Sequence, residues 1–154
     1  MTPTSTGSTR RRLTIQEVAR QTGLSEPTLR YYEQVGLIAE VERDPSSGHR
    51  RYTVAAMETL QALACLRAAG VRIEDMRRYL ELLGQGPGAA GEQRDLFRRH
   101  AERLAGEIER MQVRLRYLRW KAELWDARER GDAEAERHAI EQVLLAAEQF
   151  QHEE

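Results

Sequence analysis

The chain has 154 residues, 24 of them basic and 25 acidic, for a formal net charge of −1. That length suits one ordinary domain, or a small domain with an extended appendage, and the near-neutral balance argues against indiscriminate nucleic-acid binding by bulk charge. A single cysteine excludes an internal disulfide, and no apolar run nears the roughly 18 residues of a membrane span.

Residues 1–12, "MTPTSTGSTRRR", are Ser/Thr/Gly-rich and then basic; they read as a disordered basic arm without the apolar stretch of a signal peptide. A cytoplasmic protein is expected. Positive charge is weighted to this end: residues 1–52 hold eight arginines against six acids, whereas residues 84–154 hold twelve basic and fifteen acidic groups. Lys121 is the only lysine, so nearly every cation is a planar fork suited to bidentate contact with phosphate or a base edge.

Thr14 and Glu17 stand at capping-box spacing, and Ile15, Val18 and Ala19 keep helical period until Gly23. Ser25 can cap a second helix, with Pro27 in its first turn and Gly36 at its close. Two short helices joined by "GLS" have the spacing of a helix-turn-helix. Val41, the turn cluster "DPSSG" and Arg51-Tyr52-Thr53 then predict a small hairpin with a basic tip, a wing. Thr53 caps a helix over about 54–69 whose apolar side is Met57, Leu60, Leu63, Ala64 and Leu66. A further helix over about 73–83 carries Ile73, Met76, Leu80 and Leu83.

"GQGPGAAG", residues 84–91, reads as a Gly-rich linker. No strand precedes it and no Lys-Ser/Thr follows, which argues against a phosphate loop. Over 92–130, Phe97, Ala101, Leu104, Ile108, Met111, Leu115, Leu118, Ala122 and Trp125 alternate steps of four and three, the seam of a coiled coil. After Gly131, residues 131–154 hold a last amphipathic helix with Ala135, Ala139, Val143 and Ala146, and Ile140, Leu144 and Ala147 beside them.

On the second helix, Leu29, Tyr32 and Gly36 share one side and Pro27, Arg30, Tyr31 and Gln34 the other. An outward guanidinium, phenol and amide can read base edges and clamp phosphates in a major groove. Arg43, His49, Arg50 and Arg51 on the wing would reach adjacent backbone, and Gln16, Ser25 and Thr28 belong to the same candidate DNA-contact set.

"LTIQEVARQTGLSEPTLRYYEQVGLI", the wing "GHRRY" and "LRAAGVRIEDMRRYL" together resemble the DNA-binding half of the MerR family of bacterial transcription regulators, over about residues 13–83. The resemblance implies a mostly α fold: a winged helix-turn-helix head and a long C-terminal dimerisation helix forming an antiparallel coiled coil. Arg30 and Tyr31 would be recognition-helix contacts, Arg51 and Tyr52 wing contacts, and Phe97, Leu104, Ile108, Met111, Leu115, Leu118 and Trp125 the dimer interface. It further implies a homodimer on double-stranded promoter DNA with a pseudo-palindromic operator. Such proteins act on RNA polymerase indirectly, by bending and untwisting the promoter spacer. The chain departs from the family pattern at Ala39 and Glu40, where proline is usual, and at Arg72, where a small cap is usual.

No cofactor, metal site or catalytic residue is expected. The thiolate cluster of metal-sensing relatives is missing, and His49, His100, His138 and His152 show only a weak Glu134/His138 step, read as solvated. About 24 residues follow Arg130, too few for a large drug-binding domain. "ACLRAAGV" is similar to the single-cysteine subgroup that responds to aldehydes and other electrophiles, which makes Cys65 the candidate sensor. A nearby Arg67 guanidinium would favour its thiolate; a small packing residue is the equal alternative. An architectural DNA-binding or coiled-coil interaction protein with no effector, a MerR-type regulator of another small ligand, and an enzyme are the rival readings. Neither a nucleophile–base pair nor a nucleotide loop supports the last.

Overall fold

The computed structural model describes residues 11–152. Most of the predicted arm, residues 1–10, lies outside them. Arg12 is not part of an arm: Arg12–Leu13 form strand β1, which pairs antiparallel with β2, Tyr52–Thr53, placing Arg12 opposite Thr53 and Leu13 opposite Tyr52. Leu13 and Tyr52 both enter the core, and their burial supplies the reason for the pairing.

Helix α1, Ile15–Thr22, begins where the Thr14 hydroxyl accepts from the Glu17 N–H at 3.2 Å. It ends at Gly23, whose φ of 76° lies in the left-handed region and whose N–H donates to the Ala19 carbonyl. The buried Thr22 hydroxyl donates to Val18 O at 2.7 Å and accepts from the Leu24 N–H at 3.2 Å, so the tight turn leaves this polar group satisfied. Helix α2, Glu26–Gln34, starts at Ser25. Helix α3, Val54–Ala68, is capped by Thr53. Helix α4, Ile73–Gly84, starts at Arg72 with no side-chain cap, as the departure there suggested. Val18, Leu29, Tyr32, Leu60, Leu63 and Met76 meet in one core with Leu13 and Tyr52.

The wing is not a hairpin ladder. Its two limbs meet at one bridge, Arg43 with Arg50, around a turn built on Asp44, because Tyr52 and Thr53 are taken by β1. Asp44 Oδ1 accepts from the Ser46 hydroxyl at 2.6 Å and from the N–H groups of Ser46 and Ser47 at 2.9 and 3.0 Å. The Ser46 hydroxyl first, then these two N–H groups, hold its carboxyl well below the ordinary carboxylate range.

The expected linker is largely structured. Helix α4 runs through Gly84, Pro87–Ala89 make a 3₁₀ turn packed on α4, and α5 begins at Ala90. Ala89 is buried, as are Leu82 and Leu96. Leu82 is buried, whereas Leu83, expected on the apolar side of α4, is exposed. The first compact unit ends at Leu96 and the second begins at Phe97, beyond the linker expected from composition.

Helix α5, Ala90–Arg130, spans 41 residues. In the second unit α6, Ala133–Phe150, follows an Asp132 cap and lies against α5. Tyr117 meets Phe150 and Trp120 meets His138, each edge-on at 5.3 Å between ring centres. Val113, Tyr117, Trp120, Leu124 and Ala127 make the α5 face that receives α6, a second seam that the sequence reading did not separate. The predicted seam lies two positions earlier at each step, about 200° round the helix. Its Leu104, Ile108, Met111, Leu115, Leu118 and Trp125 are exposed. Among the described residues no helix is long and apolar enough to cross a membrane.

Candidate nucleic-acid interface

Helix α2 divides as its period requires. Leu29 and Tyr32 are buried, while Pro27, Arg30 and Gln34 are exposed and Tyr31 is 50 % exposed. The rings of Tyr31 and Tyr32 are 6.5 Å apart at 47°, one serving the core and its neighbour the surface.

Three ties hold α2 in place. At its start, the Ser25 hydroxyl accepts from the Thr28 N–H at 3.2 Å, and the Ser25 and Thr28 hydroxyls lie 2.8 Å apart. Arg67 Nη1 donates to Thr28 Oγ1 at 3.1 Å. At its end, Arg77 donates to the carbonyls of Val35 and Gly36. In its last turn, Arg50 Nε donates to both Glu33 carboxylate oxygens, at 3.2 and 3.3 Å. Ser25 and Thr28 thus cap the helix as well as lying on the expected contact face. Arg67 is directed to Thr28, not to the Cys65 sulfur as the sequence suggested.

Beside α2 the wing closes a groove whose charged and polar lining includes Gln16, Arg30, Arg43, His49, Arg50 and Arg51, with one carboxylate, Glu26, at the start of α2. Three of its four arginines have internal partners. Arg43 Nη1 donates to the Gly48 carbonyl at 3.1 Å, Arg51 Nε lies 3.7 Å from Asp44 Oδ2, and Arg50 is bound to Glu33. Gln16, Arg43 and His49 are exposed; Arg50 and Arg51 are half-buried. Tyr52, expected as a wing contact, is 1 % exposed: its ring is core, opposite Leu13, and burial pushes its phenol pKa up from the ordinary value. Its Oη has no hydrogen-bond partner among the described residues.

The groove therefore presents Arg30 on a rigid helix and Arg43, His49 and Arg51 on a braced turn, with Tyr31 exposed next to Arg30 on the same helix. Guanidinium forks and a phenol at this spacing can clamp phosphates and reach base edges. Glu33 and Arg77 were missed from sequence, and Arg67 was singled out there for a different partner. Only the Glu33 carboxylate carried a signal, standing directly after Tyr32 on a helix otherwise shaped for an anionic partner.

Cys65 is exposed on α3, off the Leu60–Leu63 core side, as its helical position implied. The exposed α5 stripe contains six of the seven expected dimer residues, and Phe97 is half-buried. His138 is exposed, as expected, with one side of its ring against Trp120. Among the described residues no three His, Cys, Asp or Glu side chains group as metal ligands.

Comparison with known proteins points in one direction. The family described as "MerR HTH family regulatory protein" matches residues 13–83. The HTH-type transcriptional regulator AdhR of Bacillus subtilis is 36 % identical over 92 residues, covering 60 % of this chain and 65 % of that protein, just under two thirds of it. An HTH-type transcriptional regulator of Haemophilus influenzae is 31 % identical over 108 residues, 70 % of this chain and 79 % of that one. The crystal structure of HiNmlR, a MerR family regulator lacking the sensor domain and bound to promoter DNA, superposes with a TM-score of 0.62 at 28 % identity, over 81 % of this chain and 95 % of that one.

Proposed function

Because the chain belongs to the MerR family of helix-turn-helix regulators, we propose that it binds double-stranded promoter DNA as a homodimer and regulates transcription by distorting the promoter spacer. The observation that carries this reading is the exposed Arg30 and Tyr31 pair on α2 with the basic wing beside it. The HiNmlR relative, in its crystal structure, is bound to promoter DNA.

A second copy on the exposed α5 stripe makes the dimer, and a two-fold dimer reads a two-fold operator. The protein works in the cytoplasm, where its promoter and RNA polymerase are. An accessible thiol at Cys65 is the candidate trigger: an electrophile that modifies it would act by favouring one of two head arrangements.

Footprinting and in-vitro transcription on the chain's own upstream region test this, using wild type, Arg30→Ala and Cys65→Ser, each with and without a small aldehyde. A protected palindrome in a promoter spacer, lost in Arg30→Ala, supports the DNA reading. Strongly salt-dependent binding with no sequence preference sinks it in favour of an architectural role. A response to aldehyde that persists in Cys65→Ser rejects the thiol as sensor.

A further inference from the structure

The ion pair between wing and recognition helix has the chemistry of a brace, not of a phosphate contact. Arg50 Nε is shared between both oxygens of Glu33, and the two side chains are 20 % and 12 % exposed. A carboxylate on the face offered to DNA opposes phosphate binding unless its charge is already spent. Here it is spent on Arg50, well away from solvent screening.

The backbone around Arg50 carries the effect outward. Arg50 bridges to Arg43, and the Arg51 N–H donates to the Glu42 carbonyl at 2.8 Å, so a fixed Arg50 fixes both limbs of the wing. The wing has no longer ladder to hold it, since its β2 end pairs with β1. A surface ordered before binding loses less conformational freedom on the duplex.

We propose that Glu33 and Arg50 are positioning residues that lock the wing to α2, setting the distance at which Arg30 and Tyr31 on one side and Arg43, His49 and Arg51 on the other meet DNA. Arg50 itself does not contact phosphate. The inference rests on the DNA-binding reading above and adds to it which charged residues act through their neighbours.

The sign of one substitution separates the lock from simple electrostatics. Glu33→Gln removes a negative charge from the DNA side, which by charge alone tightens binding. A broken lock instead weakens operator binding by at least about tenfold. The test compares wild type, Glu33→Gln, Arg50→Ala, the double variant and the exchanged pair Glu33→Arg with Arg50→Glu, titrated on the protected operator across a salt series. Expected are similar losses in both single variants, no further loss in the double, partial recovery in the exchanged pair, and an unchanged salt slope. Equal or tighter binding by Glu33→Gln overturns the proposal. So does a salt slope that falls by about 0.9 in Arg50→Ala, the mark of a lost phosphate contact.

Amide hydrogen exchange on the free protein gives a readout independent of DNA. Glu33→Gln should speed exchange at the Arg51 and Asp44 N–H groups while leaving the α3 core amides protected; unchanged wing exchange rejects the lock. Wild type that protects no operator sinks the DNA reading, and the exchange result still decides whether the brace exists.

Discussion

Arg77 on α4 donates from Nη2 to the carbonyl oxygen of Val35 at 2.9 Å, and from Nη1 to that of Gly36 at 3.2 Å, closing the C-terminus of α2 from outside. The last carbonyls of a helix lack intrahelical partners and carry partial negative charge, and a guanidinium fork can serve two at once. Arg77→Ala is therefore expected to lower stability by about 1–2 kcal/mol, with Arg77→Lys in between. Urea unfolding at a fixed protein concentration measures it. Coincident midpoints for all three proteins would mean that water serves these carbonyls equally well.

Tyr52 sets a polar atom in the core with no hydrogen-bond partner among the described residues. Burial raises its pKa from 10.0, against the pull of the Arg50 charge. A raised folded-state value means that the native chain holds this proton more firmly than the unfolded one. The contribution is thus fully present below about pH 10 and is lost as pH rises through the folded-state value. Tyr52→Phe should remove that alkaline loss and leave neutral stability equal or up to about 1 kcal/mol higher. Melting curves at pH 7 and above pH 10 check both; a variant that melts earlier at pH 7 shows that the hydroxyl has a stabilising partner.

The caps at Thr14, Ser25 and Thr53 were legible because N-cap chemistry is local, a side-chain oxygen and an N–H three residues on. The exposure of Arg30 and Tyr31 followed from helical period alone. The burial of Tyr52 did not: two residues of strand have no pattern to say which face is inward, and the partner, Leu13, is distant in sequence. "GQGPGAAG" read as linker because glycine and proline punctuate, whereas its 3₁₀ turn depends on tertiary burial of Ala89. On α5, two apolar stripes of the same seven-residue rhythm overlap, and the more regular one hid the Val113 to Ala127 face that takes α6. The internal partners of the wing arginines depend on where a turn folds back, which composition does not reveal.

Leu82 and Leu83 are neighbours with opposite environments, 2 % and 58 % exposed. Removing buried methyl groups loses transfer energy and leaves a cavity, while an exposed leucine loses little of either. Leu82→Ala should destabilise by about 2–4 kcal/mol and Leu83→Ala by less than about 0.5. Denaturant midpoints of the pair decide it. A large loss at Leu83 instead would mean that a second copy or another partner covers that side of α4.

The two faces of α5 make separable predictions. Leu124, buried on the α6 side, supports the helical hairpin, so Leu124→Ala should lower stability by about 2–3 kcal/mol and leave self-association intact. Ile108 and Leu115 lie on the opposite, exposed stripe, where two charges would be trapped in any coiled-coil seam. Ile108→Glu with Leu115→Glu should therefore give a helical monomer of about the 17.7 kDa chain mass in sedimentation, against twice that for wild type, and lose operator binding because one head reads half a palindrome. Circular dichroism guards against simple unfolding. If the doubly substituted chain sediments as wild type does, the stripe is not the interface, and the exposed leucines of α6, Leu144 and Leu145, become the next surface to charge.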